Sequence, residues 1–146
     1  MDMQTIIRHI RGLDGSLVIV PEPGGAFPPL AVGDAFFYHA PDGRMPERTQ
    51  PYATIITKDY PDDTSSSLDV SGRFRVNIRV GRDRVHDLAD PASDPSDGDV
   101  IVRHPLYGDA GWVSVVAPGA RTSSTVLVLL SEAHDAARAR SERRSR

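Results

Sequence analysis

A chain of 146 residues is long enough for one domain that buries roughly two thirds of the surface of its unfolded form. No cysteine is present, which excludes disulfides, thiolate metal ligands and a cysteine nucleophile. The net charge of −3 is uneven: residues 135–146 hold five arginines against Asp135 and Glu142, while residues 1–134 carry twelve basic and eighteen acidic side chains. An acidic body repels a phosphate backbone, which argues against a nucleic-acid-binding core. Apolar runs such as 17–20 and 126–130 are too short to cross a membrane, and no secretory signal pattern opens the chain, so the expected location is the cytoplasm.

Met3, Ile6, Ile7 and Ile10 fall at helical spacing, with Asp2 placed to cap and Gly12 placed to stop. Residues 17–20 form a brief apolar run between turn signals and read as a buried strand. A loop follows to Pro29, then a strand over 36–39 that ends at the Pro41-Asp42-Gly43 turn. The strongest strand candidate runs from Tyr52 to Lys58. Residues 61–67 are polar, with exposed hydroxyls, and suit a turn or a helix N-terminus preceding Leu68. Phe74, Val76, Ile78 and Val80 alternate with Arg75, Asn77 and Arg79, the pattern of a strand with one buried and one wet face. Residues 82–88 read as a short helix and 90–98 as a mobile surface loop rich in Asp, Ser and Pro. Residues 100–102 and 112–116 read as a wide hairpin around the 103–111 loop. Thr122 or Ser123 can then cap a helix carrying Val126, Leu127, Leu129, Leu130, Ala133 and His134 to about Ala137.

These elements predict an α+β domain over residues 1–137: a largely antiparallel sheet of about five to six strands, an N-terminal helix, a long C-terminal helix and one short middle helix. Residues 138–146 are expected to form a basic tail, frayed or disordered.

Chemistry concentrates in four patches. Lys58 is the only lysine beside sixteen arginines, and Lys58-Asp59-Tyr60 sets a cation, a carboxylate and a phenol at one strand end. A desolvated Lys58 oriented by Asp59 could act as base, Schiff-base former or anion clamp. An exposed ion pair with Asp59 accounts for the same residues. His104 stands three residues before Tyr107 on a loop, where the imidazole is either an acid–base group or a donor to a loop carbonyl, with Tyr107 capping the core. Arg75, Asn77 and Arg79 could bind a carboxylate or phosphate, or simply solubilise a sheet face. The arginine-rich end, Arg138 to Arg146, could meet an acidic partner. No metal site is expected: no two histidines stand at i, i+4, and the acidic runs 59–63 and 94–99 lack the ligand series of a calcium loop and read as solvated. No glycine-rich phosphate motif supports a nucleotide, so no cofactor is expected.

Seven strings in order, at Ile10–Gly15, Gly33–Tyr38 with Ala40–Gly43, Gln50–Tyr60, Phe74–Ile78, His104–Tyr107, Gly111–Val113 and Pro118–Gly119 with Arg121–Thr122, resemble the small actinobacterial proteins grouped as domain of unknown function 6194. The 90–99 loop departs from that pattern in composition. More distantly, the order of elements is similar to small YjbR and mitomycin-cluster Q proteins, which implies a frataxin-like, paired-wing arrangement. Neither resemblance implies an activity.

The leading expectation is a small-ligand-binding or accessory domain whose pocket draws on Tyr38, Tyr52, Lys58, Asn77, His104, Tyr107 and Trp112. It would take a small polar or anionic ligand, or a protein partner. The alternatives are a metal-independent enzyme using Lys58 or His104, with Asp59 and Tyr107 as further catalytic candidates, and a nucleic-acid binder using Arg75, Arg79 and the tail.

Overall fold

The computed structural model describes residues 1–70 and 72–145, so Arg146 of the expected tail lies outside the described residues. Helix α1 spans Met3–Arg11 and leads into β1, Ser16–Ile19. Strands β2 (Ala35–His39), β3 (Ala53–Ile56) and β4 (Arg75–Arg79) follow, then α2 (Arg82–Leu88), β5 (Ile101–Arg103), β6 (Trp112–Val116) and α3 (Ser123–Arg144). The strands form one six-stranded sheet in the order β1-β2-β3-β4-β6-β5, with every pair antiparallel. This is the α+β architecture that the run of strands with few helices implied.

The helices form because their apolar residues repeat at helical spacing. In α1, Ile6, Ile7 and Ile10 are buried, and the Asp2 carboxylate accepts from the Thr5 amide at 2.9 Å, satisfying a donor that the first turn leaves free. In α3, Val126, Leu129, Leu130 and Ala133 form the buried stripe. Both helices pack on the sheet face that carries Ala35, Phe37, Ala53, Ile55, Val76, Ile78, Val113 and Val115. Each large aliphatic side chain enclosed there contributes roughly 1.5–3 kcal/mol.

The hydrophobic core therefore lies on one side of the sheet. The other face carries Phe36, Thr54, Asn77 and Ser114 in line across four strands, because Phe36 pairs with Thr54, Thr54 with Asn77 and Asn77 with Ser114.

Three expectations need correction. The helix expected to end near Ala137 continues through Arg144, since nothing in 138–144 breaks a helix and Arg140 stays half-buried. The 52–58 strand is shorter than expected: Lys58 lies beyond β3, where the chain leaves the sheet. The 61–67 stretch is not uniformly exposed, because Ser66 is fully buried under Arg75. Within 90–99, carboxylates bond the loop's own amides, as Asp90 does to Ala92 and Asp94 to Ser96. Asp99 reaches out of that loop and accepts from the amides of Gly119, Arg121 and Thr122, holding the turn that opens α3. The Thr122 hydroxyl, which donates to Asp99 at 2.6 Å, and after it these amides keep the Asp99 carboxyl well below its usual range, at about 2.

Candidate functional site

A cavity of about 400 Å³ opens on the sheet face away from the helices. Its floor is polar. The Ser114 hydroxyl donates to Asn77 Oδ1 at 3.0 Å, and Asn77 Nδ2 donates to Thr54 Oγ1 at 3.0 Å, so one bonded row crosses β6, β4 and β3. With Asn77 only 3% exposed and Ser114 fully enclosed, each needs such a partner. Thr54 Oγ1 is an acceptor in this row, which leaves its own proton for a ligand. Phe36, Tyr60, Tyr107 and Trp112 supply aromatic surface to the lining.

Arg75 extends from β4 along one end of the cavity and is 1% exposed. It forks onto Asp63, with Nη1 to Oδ1 at 3.0 Å and Nη2 to Oδ2 at 2.5 Å, while Nη1 also donates to Ser66 Oγ at 2.9 Å. Burial pushes the Asp63 carboxyl up, but its bonds to Arg75 and that positive charge prevail and hold it below its usual range. The buried Arg75 Nε has no hydrogen-bond partner among the described residues. The reading of Arg75 as part of a wet face is thus overturned, because its strand lies centrally under the 61–67 loop. Arg79 is exposed and stands away from the cavity, in a groove with Arg84 and Arg140.

His104 follows β5 and is 3% exposed. Its Nδ1 accepts from the amides of Leu106 and Tyr107, both at 3.1 Å, rather than donating to a carbonyl. Two amides aimed at Nδ1 fix the proton on Nε2, which has no bonded partner among the described residues. Burial first, then the charge of Arg75, pushes the imidazole down to about 4 against the opposing pull of Asp63. At neutral pH His104 is an uncharged donor at the cavity wall. The Tyr107 ring lies 4.9 Å from the imidazole between centroids and is 52% exposed, so it covers the cavity rather than the core.

Gly111 makes this loop possible. At φ +95° it adopts a conformation that favours glycine, and a Cβ there would stand 3.0 Å from the backbone of Gly81 and Arg82. Its carbonyl accepts from the amides of Val80 and Gly81, tying the end of the 103–111 loop to the chain leaving β4.

Lys58 has another role. Its Nζ donates to Asp34 Oδ1 and to the Val32 carbonyl, both at 2.9 Å. The Asp34 carboxylate is completely enclosed and also accepts from the Thr57 amide at 2.8 Å, the Thr57 hydroxyl at 2.6 Å and the Tyr60 hydroxyl at 2.5 Å. Burial, then the bond to Asp34, pushes the Tyr60 phenol up. The expected Lys58–Asp59 pair does not form. Asp59 instead accepts from the Leu68 amide at 2.8 Å, and its own amide donates to Asp69 at 2.9 Å, closing the loop around buried Leu68.

Of the expected site residues, the structure gathers Asn77, His104, Tyr107 and Trp112 at one cavity. It does not bring Lys58, Asp59, Tyr38 or Tyr52 there. Tyr52 packs into the core, 5.5 Å from the His134 ring, and burial pushes its phenol up. Tyr38 is enclosed opposite Leu17 of β1. Sequence reasoning missed Phe36, Thr54, Asp63 and the inward course of Arg75. The signal available for Phe36 and Thr54 was strand alternation once the pairing was known. No group of three or more histidine or carboxylate side chains among the described residues is placed to hold a metal.

The strings that follow this geometry, from the 50–60 stretch to His104–Tyr107 and Gly111–Val113, belong to a pattern that spans the chain, and one family model matches residues 1–146. The chain belongs to DUF6194, a family of unknown function. No curated protein and no solved structure matches this DUF6194 chain. In the DUF6194 chain described here, no helix among the described residues is long and apolar enough to cross a membrane.

Proposed function

We propose that the protein is a small-molecule-binding domain whose ligand lies on the cavity face of the sheet, over the Thr54–Asn77–Ser114 row. The observation that carries this reading is the cavity of about 400 Å³, which pairs aromatic surface with a few fixed polar groups, the composition that small-molecule sites share. The buried row supports it further: a sheet face meant only for solvent does not need hydroxyl and amide groups aligned over three strands.

The proton-transfer alternative draws less from the geometry. The Lys58 ammonium is committed to Asp34 and Val32, and His104 already uses Nδ1 as an acceptor for two amides. The nucleic-acid alternative loses half of its proposed face, because Arg75 is directed at Asp63.

A thermal-shift screen of a metabolite library tests the proposal. A ligand at one hundred times its dissociation constant stabilises the folded state by about 2.7 kcal/mol, which a domain of this size reports as a shift of several degrees. The expected result is a compound that raises the melting temperature of the wild type and has a clearly smaller effect on Tyr107→Ala and Trp112→Phe. A library that moves neither the wild type nor the variants at saturating concentration defeats the reading.

A further inference from the structure

Resting on that pocket reading, we infer that the ligand is uncharged: a flat, aromatic molecule presenting a carbonyl or ring-nitrogen acceptor to the His104 end of the cavity. The charged side chains that line the cavity are Arg75, Asp62 and Asp63. Arg75 is the one cation among the lining residues, and its two terminal nitrogens are already taken by Asp63 and Ser66. With His104 neutral, the lining carries one net negative charge from the exposed Asp62. A carboxylate or phosphate placed here meets two aspartates and no free guanidinium fork, so anion recognition has no partner with suitable geometry.

A cation is disfavoured for a different reason. At the His104 end the groups left without partners are donors, Nε2–H of His104 and the Thr54 hydroxyl proton. An ammonium turned to that end brings donors to donors beside the Arg75 charge, while the Asp62 carboxylate that could accept from it is exposed to water, whereas a neutral carbonyl or pyridine-type nitrogen satisfies one of these groups without carrying a charge out of water. The walls select shape. Phe36, Tyr60, Tyr107 and Trp112 offer ring surfaces suited to a planar body, and the cavity volume suits a molecule of one or two fused rings.

Trp112 is the single tryptophan of the chain and lines the cavity, so the protein carries one indole N–H signal in a ¹⁵N–¹H spectrum, reporting directly from the site. The test titrates uniformly labelled protein at pH 7 with three probes of one shape: 2-naphthamide, 2-naphthoate and 2-naphthylmethylammonium. The expected result is that the indole signal saturates with the amide at a concentration at least tenfold below that needed for either charged probe. In His104→Asn, where the amide oxygen replaces Nδ1 as acceptor and Nε2–H is deleted, amide binding is expected to weaken about tenfold, with naphthoate binding unchanged. Thr54→Val gives the same contrast if His104→Asn loses the dispersed spectrum of the folded chain. Tightest binding by naphthoate or by the ammonium probe overturns the inference and leaves the pocket reading in place. Silence of the indole signal to all three overturns it too, and silence of the metabolite screen as well removes the pocket reading with it.

Discussion

At the scale of single residues, the buried charges separate those that hold the fold from those that shape the site. Asp34 is a fully enclosed carboxylate with four donor groups around it, one of them the only lysine ammonium. Removing such a carboxylate leaves Lys58, Thr57 and Tyr60 uncompensated, so Asp34→Ala is expected to cost about 3–5 kcal/mol. Lys58→Met should cost less, about 1–3 kcal/mol, because the lysine is 27% exposed and the hydroxyl and amide bonds to Asp34 survive. Urea denaturation measures both, and ligand binding by folded Lys58→Met should match wild type, since Lys58 is not part of the cavity lining. His104 sets a pH dependence. Its folded-state pKa of about 4 lies below the unfolded value near 6.5, so its stabilising contribution is complete above about pH 6.5 and is lost as pH falls toward 4. The loss is about 2–4 kcal/mol. Urea midpoints taken at pH 7, 5.5 and 4.5 should fall with pH in the wild type and fall less steeply in His104→Asn; the slope that remains includes His39, which burial also pushes down.

At the scale of elements, the loops place the chemistry and the glycines set the loops. Gly111→Ala must force a left-handed residue against the backbone of Gly81 and Arg82, at a cost of roughly 1–3 kcal/mol. Because the same residue ends the 103–111 loop, that variant is expected both to melt lower and to shift the Trp112 indole signal, whereas Gly43→Ala, with open space around its Cβ, should leave the signal in place. What the sequence could reveal follows the same division. The α1 stripe, its Asp2 cap, the 82–88 helix and the strand alternation of 74–80 were legible because each is written in neighbouring residues. The side of β4 on which Arg75 is covered was not, because the residues that enclose it, Asp63 and Ser66, lie on a loop whose fold over the sheet leaves no periodic mark. Lys58 was misread for a related reason: adjacency in sequence suggested Asp59, whereas the partner, Asp34, lies twenty-four positions away. His104 and Tyr107 were found because both side chains sit on a short loop between strands that pair, so proximity along the chain carried over into space.

At the scale of the molecule, the sheet has two faces with different roles. The helices cover one and supply the core; the other is left to a cavity and its polar row. The buried residues of α3 extend from Val126 to His134, with Ala137 partly buried, so the arginine-rich end adds little to the core. A chain ending at residue 137 is therefore expected to fold cooperatively and keep the wild-type response of the Trp112 signal to ligand, with its melting temperature lowered by only a few degrees. Thermal melts and the indole spectrum of the shortened chain check this; loss of dispersed signals would show that 138–146 is needed for the fold. The same asymmetry explains why the α+β fold is more legible in the sequence than the cavity. A core announces itself through apolar periodicity, whereas the cavity face is built from a threonine, an asparagine and a serine that alternation alone would assign to solvent.

The grip of Asp34 on Lys58 also has a chemical use. Lys58 carries the single lysine amine of the sequence. It is held by a buried carboxylate and a carbonyl. An acylating reagent must wait for the Lys58 clasp to open before it can react there, so the rate of modification at that single side chain times the local opening of the β2–β3 end, a clock installed without any engineered label.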